Sequence, residues 1–211
     1  MSASNFHTVT ALAGSFHKQR DYMTALSLYT VAVNSCQANN RSLAIAYRNM
    51  GDICSAMEKD VESMEIYETA LKATSFVRDD LTKTSVLKGM AHVCEKRAHY
   101  HQALRLYQEV LSTRRATLGE MNELVGDVLC CTGFVYFKQK RYDDALRMYD
   151  DALDAYDHDV DGRIVVSILA QPGQHVHRAG PFGGEQIPFE GDGDYTLYVR
   201  ILGERVPTSE Q

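Results

Sequence analysis

Three aspartates alternate at Asp157, Asp159 and Asp161, and Gly162 follows them. Carboxylates at every second position ahead of a glycine open the loop of an EF-hand: hard oxygen ligands surround calcium and the glycine permits the sharp turn. The bidentate glutamate that closes such a loop belongs at position 168, where Ile168 stands. The stretch therefore reads as an acidic, solvated connector, with calcium binding the lesser alternative and no other metal expected. His99-x-His101 and His175-x-His177 have no cysteine or carboxylate at zinc-site spacing and read as exposed polar residues. Cys94 with His92 or His99 could pair a thiolate with a base, but a nucleophile needs an orienting shell and a substrate pocket, and nothing in the sequence marks either. "GPFGGEQ" has no lysine and no strand-to-helix setting for a phosphate, and no GxSxG elbow occurs. The expectation is a non-enzymatic chain without a cofactor.

Bulk composition bounds the class of chain. Of 211 residues, 45% are hydrophobic and 24% charged, ordinary for a globular protein, and the net charge of −6 opposes a nucleic-acid partner. No apolar run is long enough to span a bilayer, and "MSASNFHTVTALAG" lacks the pattern of a signal peptide. Cys36, Cys54, Cys94, Cys130 and Cys131 are irregularly spaced with no CxxC pair. They read as reduced, buried side chains in a cytoplasmic compartment. All four prolines and eight of the fourteen glycines lie beyond residue 160, whereas every methionine and cysteine lies before residue 150. Two regions follow, 1–157 and 158–211.

The elements that would position any site come from a repeat. "LAGSFHKQRDYMTALSLYTVAV" from Leu12, "MGDICSAMEKDVESMEIYETAL" from Met50, "MAHVCEKRAHYHQALRLYQEVL" from Met90 and "TGFVYFKQKRYDDALRMYDDAL" from Thr132 superimpose. Each has a small residue second (Ala13, Gly51, Ala91, Gly133), another twelve further on (Ala25, Ser63, Ala103, Ala145), and a tyrosine four after that (Tyr29, Tyr67, Tyr107, Tyr149). The periods are 38, 40 and 42 residues. The later positions share one helix face, and the first small residue lies on a preceding helix. Small side chains at both places let two helices approach in an antiparallel hairpin. The tyrosine then fills space towards the next hairpin, and "QRDY", "EKDV", "RAHY" and "QKRY" separate the two helices. Such hairpins must stack to bury their apolar faces.

This pattern resembles the tetratricopeptide repeat (TPR) family, with Gly133, Tyr136, Ala145 and Tyr149 matching its signature of small, aromatic, alanine and aromatic residues. A finer resemblance is to the long-period repeats of kinesin light chains, whose Leu-Gly-Glu turn is matched by Leu118, Gly119 and Glu120. The resemblance covers residues 5–157 and implies an all-α, right-handed α-solenoid of antiparallel helix pairs: four TPR-like repeats plus a degenerate fifth. "VVSILAQPGQHVHRAGPF" aligns with "VGDVLCCTGFVYFKQKRY" one period earlier, so the tail reads as that fifth repeat. A helix is expected near 163–171, an irregular Pro/Gly-rich stretch to about 194 and a short helix over 195–203, with two β-strands the competing reading.

In the families resembled, the first helix of each pair lines a concave groove that takes a peptide or a partner's helix. Carried over by register, the candidate groove residues are Arg48, Asn49, Asp52 and Ser55, then Lys88, His92 and Glu95, then Cys130, Phe134, Phe137 and Lys138; the first repeat offers Thr10, Gly14, His17 and Lys18. Of the asparagines with which kinesin light chains hold a peptide backbone, Asn49 is the one matched. The expected function is an adaptor or scaffold for a protein or peptide partner, with no nucleic acid and no membrane. The alternative is a structural or self-associating segment of a longer array, pairing through a C-terminal face that includes Met148, Tyr149 and Leu153.

Overall fold

The computed structural model describes residues 3–34, 40–76 and 79–156, with the side chains of 3–5 excepted. The second region, 158–211, with the candidate aspartates Asp157, Asp159 and Asp161 and the expected fifth repeat, lies outside the described residues, as does Cys36. Among the described residues all regular structure is helical: α1 (Ala3–Lys18), α2 (Tyr22–Asn34), α3 (Asn40–Ala56), α4 (Asp60–Thr74), α5 (Asp80–Lys96), α6 (Tyr100–Leu118), α7 (Glu123–Lys138) and α8 (Tyr142–Ala155). The chain divides into two compact units, Met1–Arg114 and Arg115–Gln211.

Four helix pairs arise because the same turn is written four times. Arg20, Glu58, Ala98 and Lys140 adopt left-handed backbone angles (φ 58 to 62°), spaced by the same 38, 40 and 42 residues as the small side chains. After each, the next amide reaches back five residues: Asp21 to Phe16 (3.0 Å), Lys59 to Cys54 (2.9 Å), His99 to Cys94 (2.8 Å) and Arg141 to Tyr136 (2.9 Å). This is a Schellman ending, which satisfies the last carbonyls of one helix while turning the chain into its partner. The connections between pairs use other devices. Asp79 caps α5 by accepting from the Thr82 amide (3.1 Å), and Asn122 caps α7 by accepting from the Leu124 amide (2.9 Å). Gly119, at φ 89°, supplies the left-handed residue of the Leu-Gly-Glu turn.

In the first unit α1 packs on α2, α3 on α4, and each pair touches the next through α2·α3 and α4·α5, with α1, α3 and α5 also adjacent in sequence of repeats. Ala13, Ala25, Ala91 and Ala103 are fully buried, Gly51 and Ser63 are buried, and the Ser63 hydroxyl donates to the Gly51 carbonyl at 2.8 Å. Tyr29, Tyr67 and Tyr107 are buried. Tyr67 fills space towards the next hairpin as the pattern predicts: a Cβ built on either Gly51 of its own pair or Gly89 of the next would meet its ring at 2.6 Å. In the second unit α7 packs on α8, Ala145 is buried, and Tyr149 lies against Gly133, where a Cβ would meet it at 2.7 Å. Tyr149 is thus buried, which corrects its assignment to an exposed apolar end face; Met148 and Leu153 are half-buried. Tyr136, the remaining signature aromatic, is half-buried with the Arg141 guanidinium 4.5 Å over its ring.

Candidate functional site

The candidate residues of the second repeat stand together on α3. The Arg48 guanidinium donates to Asp52 Oδ2 at 3.0 Å and, through its other terminal nitrogen, to Asn49 Oδ1. Each acceptor is held in turn by a signature tyrosine. Asn49 Nδ2 donates to the Tyr29 hydroxyl at 3.0 Å, and the Tyr67 hydroxyl donates to Asp52 Oδ1. Burial pushes the Tyr67 hydroxyl far above its ordinary pKa, and the charge of Asp52 and its hydrogen bond add to this. Burial likewise raises Tyr29, opposed by the bond from Asn49 and the charge of Arg48. Both tyrosines therefore remain protonated, and Tyr67 remains a donor. The Arg48 and Asp52 side chains stay about one-third exposed (32% and 31%), so the pair faces solvent on one side.

On α5, Lys88 and His92 are part-exposed, whereas the Glu95 side chain is largely covered, at 10% exposure. The Tyr107 hydroxyl donates to Glu95 Oε2 at 3.1 Å, and His92 Nδ1 lies 3.7 Å from the same oxygen. An acidic side chain of the first helix thus receives the tyrosine of the second helix in both the second and third pairs. On α1, the Thr10 hydroxyl turns back to the Phe6 carbonyl (2.9 Å), His17 meets the Tyr22 ring edge-on, and Lys18 is exposed. Two candidates carried over by register are corrected. Ser55 and Cys130 are buried (3% and 1% exposed), because at these points the helix face turns into the hairpin contact.

In the second unit the candidates are aromatic instead of charged. Phe134 and Phe137 are half-buried and stacked at 6.4 Å, and Lys138 Nζ lies 5.0 Å over the Phe134 ring. Tyr142, exposed at 49%, extends the cluster, 5.7 Å from Phe137.

Cys54, Cys94, Cys130 and Cys131 are buried free thiols. Burial raises the pKa of Cys54 and Cys94, against the formation of a nucleophilic thiolate. Among the described residues no cluster of histidine, cysteine or acidic side chains could hold a metal ion. No helix of the described residues is long and apolar enough to cross a membrane.

Reading by register missed a second layer of contacts two helical turns from the signature residues. Thr84 and Gly126 stand seven before Ala91 and Gly133; Arg114 and Tyr156 stand seven after Tyr107 and Tyr149. Buried Arg114 donates to Thr84 Oγ1 (3.4 Å), whereas Tyr156 packs where Gly126 has no Cβ and donates to Asp127 Oδ1 (2.9 Å). The signal was present in the spacing, but the side chains there differ from repeat to repeat.

Residues 81–158 match the family model of the tetratricopeptide repeat. The fold is similar to that of BtubC (BKLC) from P. vanneervenii, with a TM-score of 0.68 at 20% identity over 77% of this chain and 68% of that one. It is similar, too, to kinesin light chain nearly identical TPR-like repeats from Podosopora anserina (TM-score 0.65, 10% identity, 96% of this chain and 89% of that one). A tetratricopeptide repeat protein from Parabacteroides merdae ATCC 43184 gives a TM-score of 0.57 at 18% identity, over 96% of this chain and 66% of that one. In sequence, 106 residues (49% of this chain) are 28% identical to the Clustered mitochondria protein homolog of Candida albicans (strain SC5314 / ATCC MYA-2876), and the match spans 7% of that protein. The recurring hairpins, their shared turn and these likenesses identify an all-α solenoid fold of TPR-like helix pairs, similar in fold to the repeats of kinesin light chains.

Proposed function

We propose that this chain is a non-enzymatic docking module that takes a peptide or a partner helix on the first helices of its repeats. Tetratricopeptide repeats are in general protein-interaction modules. The observation that carries the reading here is the division of labour within each hairpin. Second-helix tyrosines are spent on packing, whereas Arg48, Asn49, Asp52, Lys88 and His92 remain part-exposed on first helices. Arg48 and Lys88 are one period apart, so they repeat a cation along the same register and suit a segment carrying carboxylates. Phe134, Phe137 and Lys138 offer an apolar surface with a cation to the same kind of segment. The reduced thiols support a cytoplasmic setting.

The experiment is affinity capture with the intact chain beside an Arg48→Glu/Lys88→Glu/Lys138→Glu variant. A partner lost by the variant supports the reading; a partner held equally by both overturns it. The second reading, self-association, is favoured by exposed Tyr142 beside half-buried Phe137. Light scattering separates the two, because a dimer abolished by Tyr142→Ser would put a second copy on this surface.

A further inference from the structure

We propose that Tyr29 and Tyr67 are positioning residues for Arg48, aiming its guanidinium at an incoming carboxylate through Asn49 and Asp52. The inference rests on the docking reading above and names the parts that make one of its contacts directional.

The geometry is a chain of five side chains across two helix pairs. Tyr29 on α2 accepts from Asn49, Asn49 accepts from Arg48, Arg48 donates also to Asp52, and Asp52 accepts from Tyr67 on α4. Each oxygen of the Asp52 carboxylate has a different donor, Tyr67 on Oδ1 and Arg48 on Oδ2, so the carboxylate cannot rotate without losing a bond. Asn49 is fixed in the same way, its amide nitrogen on Tyr29 and its oxygen on Arg48. A long arginine side chain on a helix surface ordinarily loses much rotamer freedom when it engages a ligand. Here that freedom is already removed. Two of the five guanidinium N–H groups are spent on α3, and the others remain to meet a planar acceptor from the solvent side. The two tyrosines are themselves immovable: both are buried, and the Tyr67 ring is lodged between the backbones at Gly51 and Gly89. Equivalent positions in the third pair do not build the relay, because Lys88 lacks a guanidinium fork and Gly89 stands where Asn49 stands. Orientation is thus specific to the second repeat.

Because the relay ends on residues that pack one hairpin on the next, engagement of Arg48 is coupled to that packing, and the coupling is reciprocal. A ligand that draws Arg48 outward releases Asp52 and Asn49, and a ligand that fits the existing aim does not.

The test uses Tyr29→Phe and Tyr67→Phe in the full chain, each of which keeps the ring and deletes only the hydroxyl. Arg48 is followed by its side-chain Nε–H signal in nitrogen-15 NMR, assigned by its loss in Arg48→Lys. Docking is followed by the anisotropy of a fluorescein-labelled hexaglutamate peptide. Tyr67→Phe is expected to broaden the Arg48 signal or speed its exchange, and either variant to weaken the probe about three- to tenfold, the net worth of one ordinary hydrogen bond. Tyr107→Phe removes the corresponding hydroxyl from the third pair and is expected to leave the Arg48 signal unchanged, which a general loosening of the repeats would not. An Arg48 signal indifferent to Tyr67→Phe, or equally disturbed by Tyr107→Phe, overturns the positioning role. Wild-type protein that ignores the peptide overturns docking at Arg48, and the NMR comparison then still decides whether the tyrosines hold the guanidinium.

Discussion

Gly89→Ala is the substitution that most directly tests how the hairpins are stacked. In an isolated helix the change stabilises by about 1 kcal/mol, because alanine loses less backbone entropy than glycine. Here the new Cβ would meet Tyr67 Cζ and Oη at 2.6 Å and Cε1 at 2.7 Å. The ring cannot swing away, since Gly51 on the opposite helix is already too close for a Cβ of its own and the ring is buried. Forcing it costs about 1–3 kcal/mol of overpacking. Displacing the hydroxyl from Asp52 costs about 1.5–3 kcal/mol more, as for a hydrogen bond to a charged group. After the propensity gain is subtracted, a net loss of about 1.5–5 kcal/mol is expected. With a urea dependence of about 2 kcal/mol/M, the midpoint followed by circular dichroism falls by about 0.8–2.5 M. Gly14→Ala is the internal control: its Cβ would lie 3.6 Å from the Tyr29 hydroxyl, an ordinary contact, so the variant should be neutral or more stable. A Gly89→Ala protein at least as stable as wild type would refute the wedging of Tyr67 between consecutive repeats.

Ala98 turns α5 into α6 at φ 58°. Ala98→Gly removes a left-handed strain of about 1–2 kcal/mol at the cost of unfolded-state entropy, for a net gain of about 0.5–1 kcal/mol in urea melts; a loss of stability would refute the assignment of the turn. Asp79 caps α5 and pairs with Arg41 at 2.6 Å. Burial alone would raise its pKa, but the Thr82 hydroxyl and amide together with Arg41 outweigh burial and lower it. A carboxylate with a depressed folded-state pKa contributes stability above its unfolded value of about 3.9 and loses it as pH falls through the folded value. Asp79→Asn should therefore be less stable than wild type at pH 7, and the gap should close as the pH is lowered below about 4. A gap that does not change with pH would refute the ionic part of the cap.

The architecture was legible because one spacing recurs in two independent guises. Small residues and tyrosines mark the hairpin contacts, and the left-handed turn residues Arg20, Glu58, Ala98 and Lys140 carry the same periods without a single glycine among them. Those turns were located by their polar neighbours, not by their conformation, since nothing in arginine or glutamate announces a positive φ. The groove candidates were legible as a helix face but not as chemistry. Arg48, Asn49 and Asp52 read as separate groove positions, whereas in the fold Arg48 joins Asn49 to Asp52, Asn49 is held by Tyr29 and Asp52 by Tyr67.

What the chain by itself determined is the order of helices, their pairing and which face of each is small enough to be buried, because these follow from periodicity and side-chain volume along one strand of covalent sequence. The tertiary structure alone decided the rest. Ser55 and Cys130 turned inward, Tyr67 found Gly89 on another hairpin, Arg114 was buried beside Thr84, and Tyr156 occupied the space left by Gly126. Hydrogen bonds and close packing join residues 12 to 41 positions apart, from Tyr107 and Glu95 to Lys96 and the Ser55 carbonyl. Their partners are set by where whole helices come to rest, a property that no local window of sequence contains.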